Sequence, residues 1–334
     1  MTDLMDAEWP FYLSALAAGA LWGYVTQRGG FCLVRALSNM VLMGDATILR
    51  AYGLALLVAM IGVQALQAAG LVEIPIRPFH WLSNITGGLI FGAGMMLGGG
   101  CSGSTWYRTG EGAVGAWIIL LGFALGATAA RLGSLAPVRA SLQAPAITIA
   151  GAPPTLATVL GVSPWLVIIV LAIAGAIWMA RAPGEPQHRK WPWPATGMAA
   201  GILIAAAWWA SSLGGPPVGL TFAVNTGELL TYPLVGFPNR VNWSMVMLIG
   251  VPVGAFIAAR RAGEFSWKLP PSSSLVKIFS GGLLMGASAI VAEGCNVTQG
   301  LTNGATLAVG SLVTLLSMLG GGWLTLWTLY LRKG

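Results

Sequence analysis

"GGLIFGAGMMLGGGCSGSTWYRTG", residues 87–110, and "GGLLMGASAIVAEGCNVTQGLTNG", residues 281–304, align without a gap at an offset of 194. Gly87, Gly88, Leu89, Gly92, Ala93, Gly100, Cys101 and Gly110 match Gly281, Gly282, Leu283, Gly286, Ala287, Gly294, Cys295 and Gly304, eight of 24 positions. With both cysteines in register, the match reads as a duplication. In each copy an apolar run ends in small residues, a cysteine follows, and a more polar stretch comes next. That is the pattern of a helix that breaks and restarts.

The surroundings place those breaks in a membrane. Of 334 residues, 56% are apolar and only 8% are charged, and the mean hydropathy is +0.77. Soluble domains carry roughly 25% charged residues. Apolar runs long enough to cross a hydrocarbon core of about 30 Å recur along the chain. The short alternating segments of a β-barrel are not there. Spans are expected near 10–26, 47–69, 83–99, 112–130, 164–180, 194–212, 243–260, 274–292 and 306–331. The offset of 194 then corresponds to five spans, and an odd number inverts the second copy. The expected fold is an all-α polytopic membrane protein of about nine transmembrane helices, in two inverted repeats with re-entrant broken segments. Inverted repeats with broken helices are common in transport proteins. The expected organisation is a first half over 1–180, a polar linker over 181–194 ("RAPGEPQHRKWPWP") and a second half over 195–334, all one integral membrane domain. The Pro-rich stretch before the fifth span is expected to be broken or interfacial, because proline interrupts helices.

"MTDLMDAE" is acidic where a cleavable signal begins with basic residues, so no signal peptide is expected. The net charge of +7 sits mostly in short gaps between spans. That distribution speaks for the positive-inside bias rather than for nucleic acid. Arg181, Arg189 and Lys190, then Arg260, Arg261 and Lys268, then Arg332 and Lys333 place the N-terminus outside and the C-terminus in the cytoplasm, with Arg131 and Arg139 as exceptions. Three widely spaced cysteines, Cys32, Cys101 and Cys295, form neither a disulfide framework nor a metal site. His80 and His188 are given no role, and no cofactor is expected.

A third, weaker element follows the first span of each half. "TQRGGFCLVRAL", 26–37, lies opposite "VGLTFAVNTGELL", 218–230, with Phe31-Cys32 against Phe222-Ala223. The second half keeps the break without the thiol.

Broken backbone cannot face lipid, since each unpaired N–H or C=O costs several kcal/mol there. It must be packed in protein or line a cavity. Glycine permits the turn, which points to Gly100 and Gly294. A restarted helix exposes N–H groups carrying partial positive charge and so suits an anion. Ser102, Ser104 and Thr105 add donors in the first copy, and Asn296, Thr298 and Gln299 in the second. Arg28, Arg108, Glu111, Glu228 and Glu293 lie close to the breaks; Arg28 and Arg108 could attract a dianion, whereas Glu293 would repel one unless it is paired or serves as a proton site. A buried thiol stays protonated. It offers a soft, weak donor to a sulfur-bearing substrate.

"QRGGFC", "GGGCSGSTWYRTGEG" and "EGCNVTQG" resemble the cysteine motifs of the YeeE/YedE family of bacterial inner-membrane proteins, over essentially the whole chain. The resemblance implies thiosulfate import into the cytoplasm. It also implies a thiol at each of three places along a central path, here Cys32, Cys101 and Cys295. Some members work with a small TusA-like sulfur-carrier protein. Others are linked to selenium or have no assigned substrate.

Plainer readings stand beside these. A lone membrane cysteine is usually a packing residue. The GxxxG pairs Gly19/Gly23, Gly88/Gly92, Gly94/Gly98, Gly122/Gly126 and Gly282/Gly286 are best read as helix-packing surfaces. The tryptophans suit membrane interfaces. The reading that joins these observations is a non-enzymatic transporter that imports thiosulfate past cysteine thiols and broken-helix N-termini. The alternatives are a membrane sulfurtransferase that forms a cysteine persulfide, or a carrier of another small sulfur or selenium compound.

Overall fold

The computed structural model describes residues 2–149, 151–184, 190–235 and 241–332. His188, Arg189 and Lys333, and with them part of the expected linker, lie outside the described residues. The long helices are α1 (Thr2–Gly29), α3 (Thr47–Ala68), α4 (Trp81–Gly98), α6 (Val114–Arg131), α9 (Pro164–Arg181), α10 (Trp193–Ser212), α12 (Trp243–Arg261), α13 (Leu275–Val291) and α14 (Val309–Leu326). Each corresponds to one expected span. Eight of them are long and apolar enough to cross a membrane. The ninth, α1, is long enough but falls short in apolarity. Short helices fill the gaps: α2 (Leu33–Met43), α5 (Ser102–Gly110), α7 (Ala136–Gln143), α8 (Leu156–Leu160) and α11 (Ala223–Val235). A π-helical turn, Thr298–Asn303, and a 3-10 turn, Gly304–Thr306, take the place of α5 in the second half. No strand occurs among the described residues.

Close glycine contacts fix the packing and its direction. A Cβ added at Gly19 would strike Met247, and one at Gly23 would strike Val251, so α1 and α12 run parallel. Gly197 and Gly201 of α10 meet Ala51 and Ala55 of α3 in the same sense. Gly88 and Gly92 of α4 meet Thr314 and Met318 of α14, and Gly282 and Gly286 of α13 meet Ile119 and Phe123 of α6. Exchanging α1 with α10, α3 with α12, α4 with α13 and α6 with α14 turns each of these pairs into another. Two of the counterpart pairs, α4 with α13 and α1 with α10, also touch, and they run antiparallel. Gly94 of α4 faces Met285 while Gly87 faces Ala292, and Gly29 at the end of α1 lies on Thr196 near the start of α10. A helix arrangement that maps onto itself with reversed direction is an inverted repeat. All five GxxxG pairs sit in these contacts. In lipid, where no hydrophobic force drives helices together, such small residues bring backbones close enough for dispersion to hold them.

Among the described residues α7, α8 and α9 have no counterpart in the second half. Prolines and extended residues separate α7 from α8, as expected for this stretch. The long helix α9 packs on α3 and exposes Leu166, Ile169, Val170 and Ile173 outward, a lipid-facing surface.

The ends of α1 and α12 and the starts of α6, α10 and α13 share one face. There Trp191 N donates to Arg28 O at 2.9 Å and Val114 N to Lys268 O at 3.0 Å. We call it the linker face, and the opposite one the cavity face.

Candidate functional site

Between α4 and α5, and again between α13 and the π turn, the chain doubles back into the protein. In the first break Gly99 has φ 70, a left-handed turn natural to glycine, and Gly100 N reaches back to Met95 O at 3.2 Å. In the second, Glu293 holds φ 61 and Gly294 N reaches Ala289 O at 2.7 Å. These residues are repeat counterparts. So are Ser102 and Asn296, and they touch: Ser102 Oγ donates to Asn296 Oδ1 at 3.2 Å. The two breaks therefore meet where the halves meet.

Each cysteine begins a helix. Cys32 O accepts from Ala36 N at 2.9 Å, Cys101 O from Thr105 N at 2.8 Å and Cys295 O from Gln299 N at 2.7 Å. A fourth start, at Phe222, accepts from Thr226 N at 3.0 Å and has no thiol. Each thiol is thus held at the first turn of a helical segment, and Cys295 Sγ accepts from Thr298 N at 3.5 Å.

Hydroxyls connect them. Ser104 Oγ accepts from the Cys32 thiol at 3.2 Å, from the Cys101 thiol at 3.4 Å and from Cys101 N at 3.0 Å. Its own proton goes to Cys101 O at 3.0 Å. In the other copy Thr298, the counterpart of Ser104, lies 3.4 Å from Cys295 Sγ and accepts from Phe222 N at 3.3 Å. Asn296 Nδ2 donates to Tyr52 Oη at 2.6 Å. Cys32, Cys101 and Cys295 are all buried. The contacts fall into three buried polar groups in an otherwise apolar core: Cys32–Ser104–Cys101, Ser102–Asn296–Tyr52 and Cys295–Thr298.

The other expected site residues brace the breaks. Thr105 Oγ1 donates to Cys101 O at 2.8 Å. Gln299 Nε2 holds Ala292 O at 2.8 Å, while its Oε1 accepts from Ser311 at 2.7 Å and Asn303 at 3.2 Å. Arg108 Nη1 donates to Gly99 O at 2.9 Å. Arg28 lies on the linker face, 3.7 Å from Glu264. Glu264 also accepts from Lys190 at 2.9 Å and Gln27 at 2.7 Å. Partial burial pushes the Glu264 carboxyl up. The Lys190 hydrogen bond and charge, with Gln27 and Arg28, outweigh this and hold it below its usual range.

A cavity of about 850 Å³ opens on the cavity face. Arg77, Arg131, Asn225 and Glu293 are among its walls, and it reaches Gly294 and Thr298 at its floor. Thr298 thus stands between the cavity and Cys295 Sγ, which lies 3.4 Å from its hydroxyl. Arg131 pairs with Glu228 across the wall.

Sequence reasoning missed Tyr52, Trp106 and Thr226. Trp106 Nε1 donates to Thr226 Oγ1 at 3.0 Å, joining α5 to α11. Phe31 stacks on Tyr52 with centroids 4.5 Å apart, and Trp22 makes ring contacts with both Phe31 and Phe222. An aromatic ring inside an apolar span carries no sequence signal of such a role. Only the Phe31/Phe222 correspondence hinted at it.

The sulphur transport family model matches residues 28–324. The chain is 31% identical to the thiosulfate transporter TsuA of Spirochaeta thermophila, over 96% of this chain and 99% of that protein. It is also 31% identical to the Escherichia coli thiosulfate transporter TsuA, over 96% and 95% of the two chains. The Escherichia coli probable transporter YedE is 30% identical over 34% of this chain and 28% of its own. Paired cysteine-bearing breaks, inverted halves and full-length similarity agree: this multi-pass membrane protein belongs to the sulphur transport family, the YeeE/YedE proteins.

Proposed function

We propose that the chain carries thiosulfate across the bacterial inner membrane and into the cytoplasm, along the seam between its two halves. One observation carries this reading: three buried thiols, each at the start of a helical segment, sit at or beside the breaks, and Thr298 joins Cys295 to the wall of a cavity. Thiosulfate collects in the cavity and sheds water against Asn225 and Thr298. It then passes Cys295 and Gly294 and crosses between Ser102 and Asn296. Beyond these it meets Gly100, Cys101, Ser104 and Cys32. Helix N-termini and N–H donors balance the sulfonate charge, and the thiols offer S–H donors to the terminal sulfur. Thr105 and Gln299 keep the breaks in shape. Arg108 sits at the linker-face end of the first break and favours the anion there. Arg28, tied to Glu264, contributes less.

The halves 1–180 and 195–334, joined by 181–194, act as one membrane unit. The cavity face is outside. Arg28, Arg181, Lys190, Arg260, Arg261, Lys268 and Arg332 lie toward the linker face, which favours that face as cytoplasmic. The chain acts as a carrier and forms no covalent intermediate, consistent with relatives named as transporters.

A membrane potential negative inside opposes a dianion by about 2.3 kcal/mol per charge per 100 mV, hence roughly 4.6 kcal/mol per 100 mV. Consumption in the cytoplasm, for instance by a TusA-like sulfur carrier, supplies a sink.

Vesicle uptake of labelled thiosulfate, with sulfite, sulfate and selenite as competitors, tests the substrate. Thiosulfate uptake that excess sulfate fails to suppress supports the reading. Equal suppression by all three anions argues for an unselective anion path. Mass spectrometry of protein exposed to thiosulfate separates carrier from sulfurtransferase, since a stoichiometric persulfide that turns over contradicts the carrier.

A further inference from the structure

The two breaks turn the chain at equivalent positions but with different residues. Where the first break has Gly99 at φ 70, the second has Glu293 at φ 61. A left-handed φ is uncommon for a residue with a side chain, and such strain gathers at functional sites. The glutamate lines the cavity beside Gly294 and Thr298, where the proposed anion must pass. Its Oε1 lies 3.7 Å from His80 Nε2, and the two side chains are 16% and 17% exposed. Glu293 Oε2 and His80 Nδ1 are both buried without a hydrogen-bond partner.

Among the described residues, four other charged or titratable side chains lie near Glu293 or on the same cavity wall. His80 and Arg77 come from the segment before α4, and Arg131 of α6 and Glu228 of α11 share the cavity wall. Arg131 and Glu228 neutralise each other, while α4 presents the neutral Asn84, bonded to Ala292 O at 3.5 Å. A dianion above Thr298 therefore faces the carboxylate of a Glu293–His80 couple, with Arg77 on the same cavity wall. Charge repulsion favours that couple in its more protonated form.

We propose that Glu293 and His80 form a proton-binding site that takes up one proton from the cavity water when an anion occupies the cavity. This rests on the reading of thiosulfate as substrate and extends it. A proton carried with the anion reduces the translocated charge from two negative to one and halves the opposition of the membrane potential. Binding and protonation are linked, so each strengthens the other.

Calorimetric titration of the purified full-length protein with sodium thiosulfate, in two buffers of different ionisation enthalpy, counts the protons. Expected for the wild type is close to one proton taken up per anion, with Kd rising about tenfold per pH unit once the site has titrated. Glu293→Gln should lower the count to near zero and flatten the pH dependence. Glu293→Gly restores the residue of the first break at the same backbone angle. It should fold at least as stably and show the same loss. Thiosulfate binding without proton uptake, or a wild-type proton count in both variants, would overturn the proposal while leaving thiosulfate as substrate. A wild type that fails to bind thiosulfate at all would overturn both.

Discussion

Replacing Ser104 by Ala removes the atom at which two of the three thiols converge. Ser104 is buried, and its Oγ accepts from Cys32 Sγ at 3.2 Å, Cys101 Sγ at 3.4 Å and Cys101 N at 3.0 Å. Alanine leaves the Cys101 N–H without its partner inside the protein, which costs about 1–3 kcal/mol. The Cys101 carbonyl loses less, because Thr105 N and Thr105 Oγ1 still donate to it, both at 2.8 Å. Transport should suffer separately. A donor lost to a passing anion costs about 1.5–3 kcal/mol, so initial uptake at low thiosulfate should fall roughly tenfold to a hundredfold. The assays are thermal unfolding in detergent and initial-rate uptake into liposomes, for Ser104→Ala, Cys32→Ala and the double variant. Since both residues act through one atom, their effects should be non-additive by about 0.5 kcal/mol or more. A Ser104→Ala protein that unfolds and transports like the wild type, or losses that add simply, would refute the shared-partner geometry.

Three further outcomes follow from the packing and the face charges. Adjacent glycines in α14 should respond oppositely. Gly321→Ala drives a Cβ into Leu89 O and should destabilise by about 1–3 kcal/mol, whereas Gly320 has only Leu89 Cδ2 at 3.8 Å and should gain about 0.5–1 kcal/mol in helix propensity; thermal unfolding of each separates them. Tyr52→Phe strips the acceptor from buried Asn296 Nδ2 and should cost about 1–3 kcal/mol, read the same way. Glu264 has a depressed carboxyl pKa, so its link between α1, Lys190 and the end of α12 is fully present above the ordinary carboxylate range and weakens as pH falls through the lowered value. Wild-type stability should therefore drop on acidification in that window, and Glu264→Gln should be less stable at neutral pH and should lose that part of the acid sensitivity.

Much of the architecture was legible from two features. Long apolar runs announced the spans, and the cysteines in register announced the duplication and its inversion. GxxxG spacing marked the helix faces that pack but not their partners. A glycine stripe on α4 does not say whether α13 or α14 covers it, and α4 meets both. The break positions were readable because Gly100-Cys101 and Gly294-Cys295 interrupt otherwise continuous apolar runs. The contact of Cys32 with Ser104, 72 residues away, was not readable, because side-chain proximity across the bundle leaves no local pattern. Tyr52 was hidden for the same reason. Glu293 stood out as a charge beside a break, but its left-handed backbone and its contact with His80 became visible only in three dimensions.

Uptake of labelled thiosulfate by the purified protein in liposomes, comparing the wild type with Cys101→Ala/Cys295→Ala, tests the thiol-lined path most directly. Expected is wild-type uptake that falls to the level of empty liposomes in the double variant, with normal thermal unfolding and partial recovery when serine replaces alanine. Undiminished uptake in a folded Cys101→Ala/Cys295→Ala protein would contradict a path through these thiols.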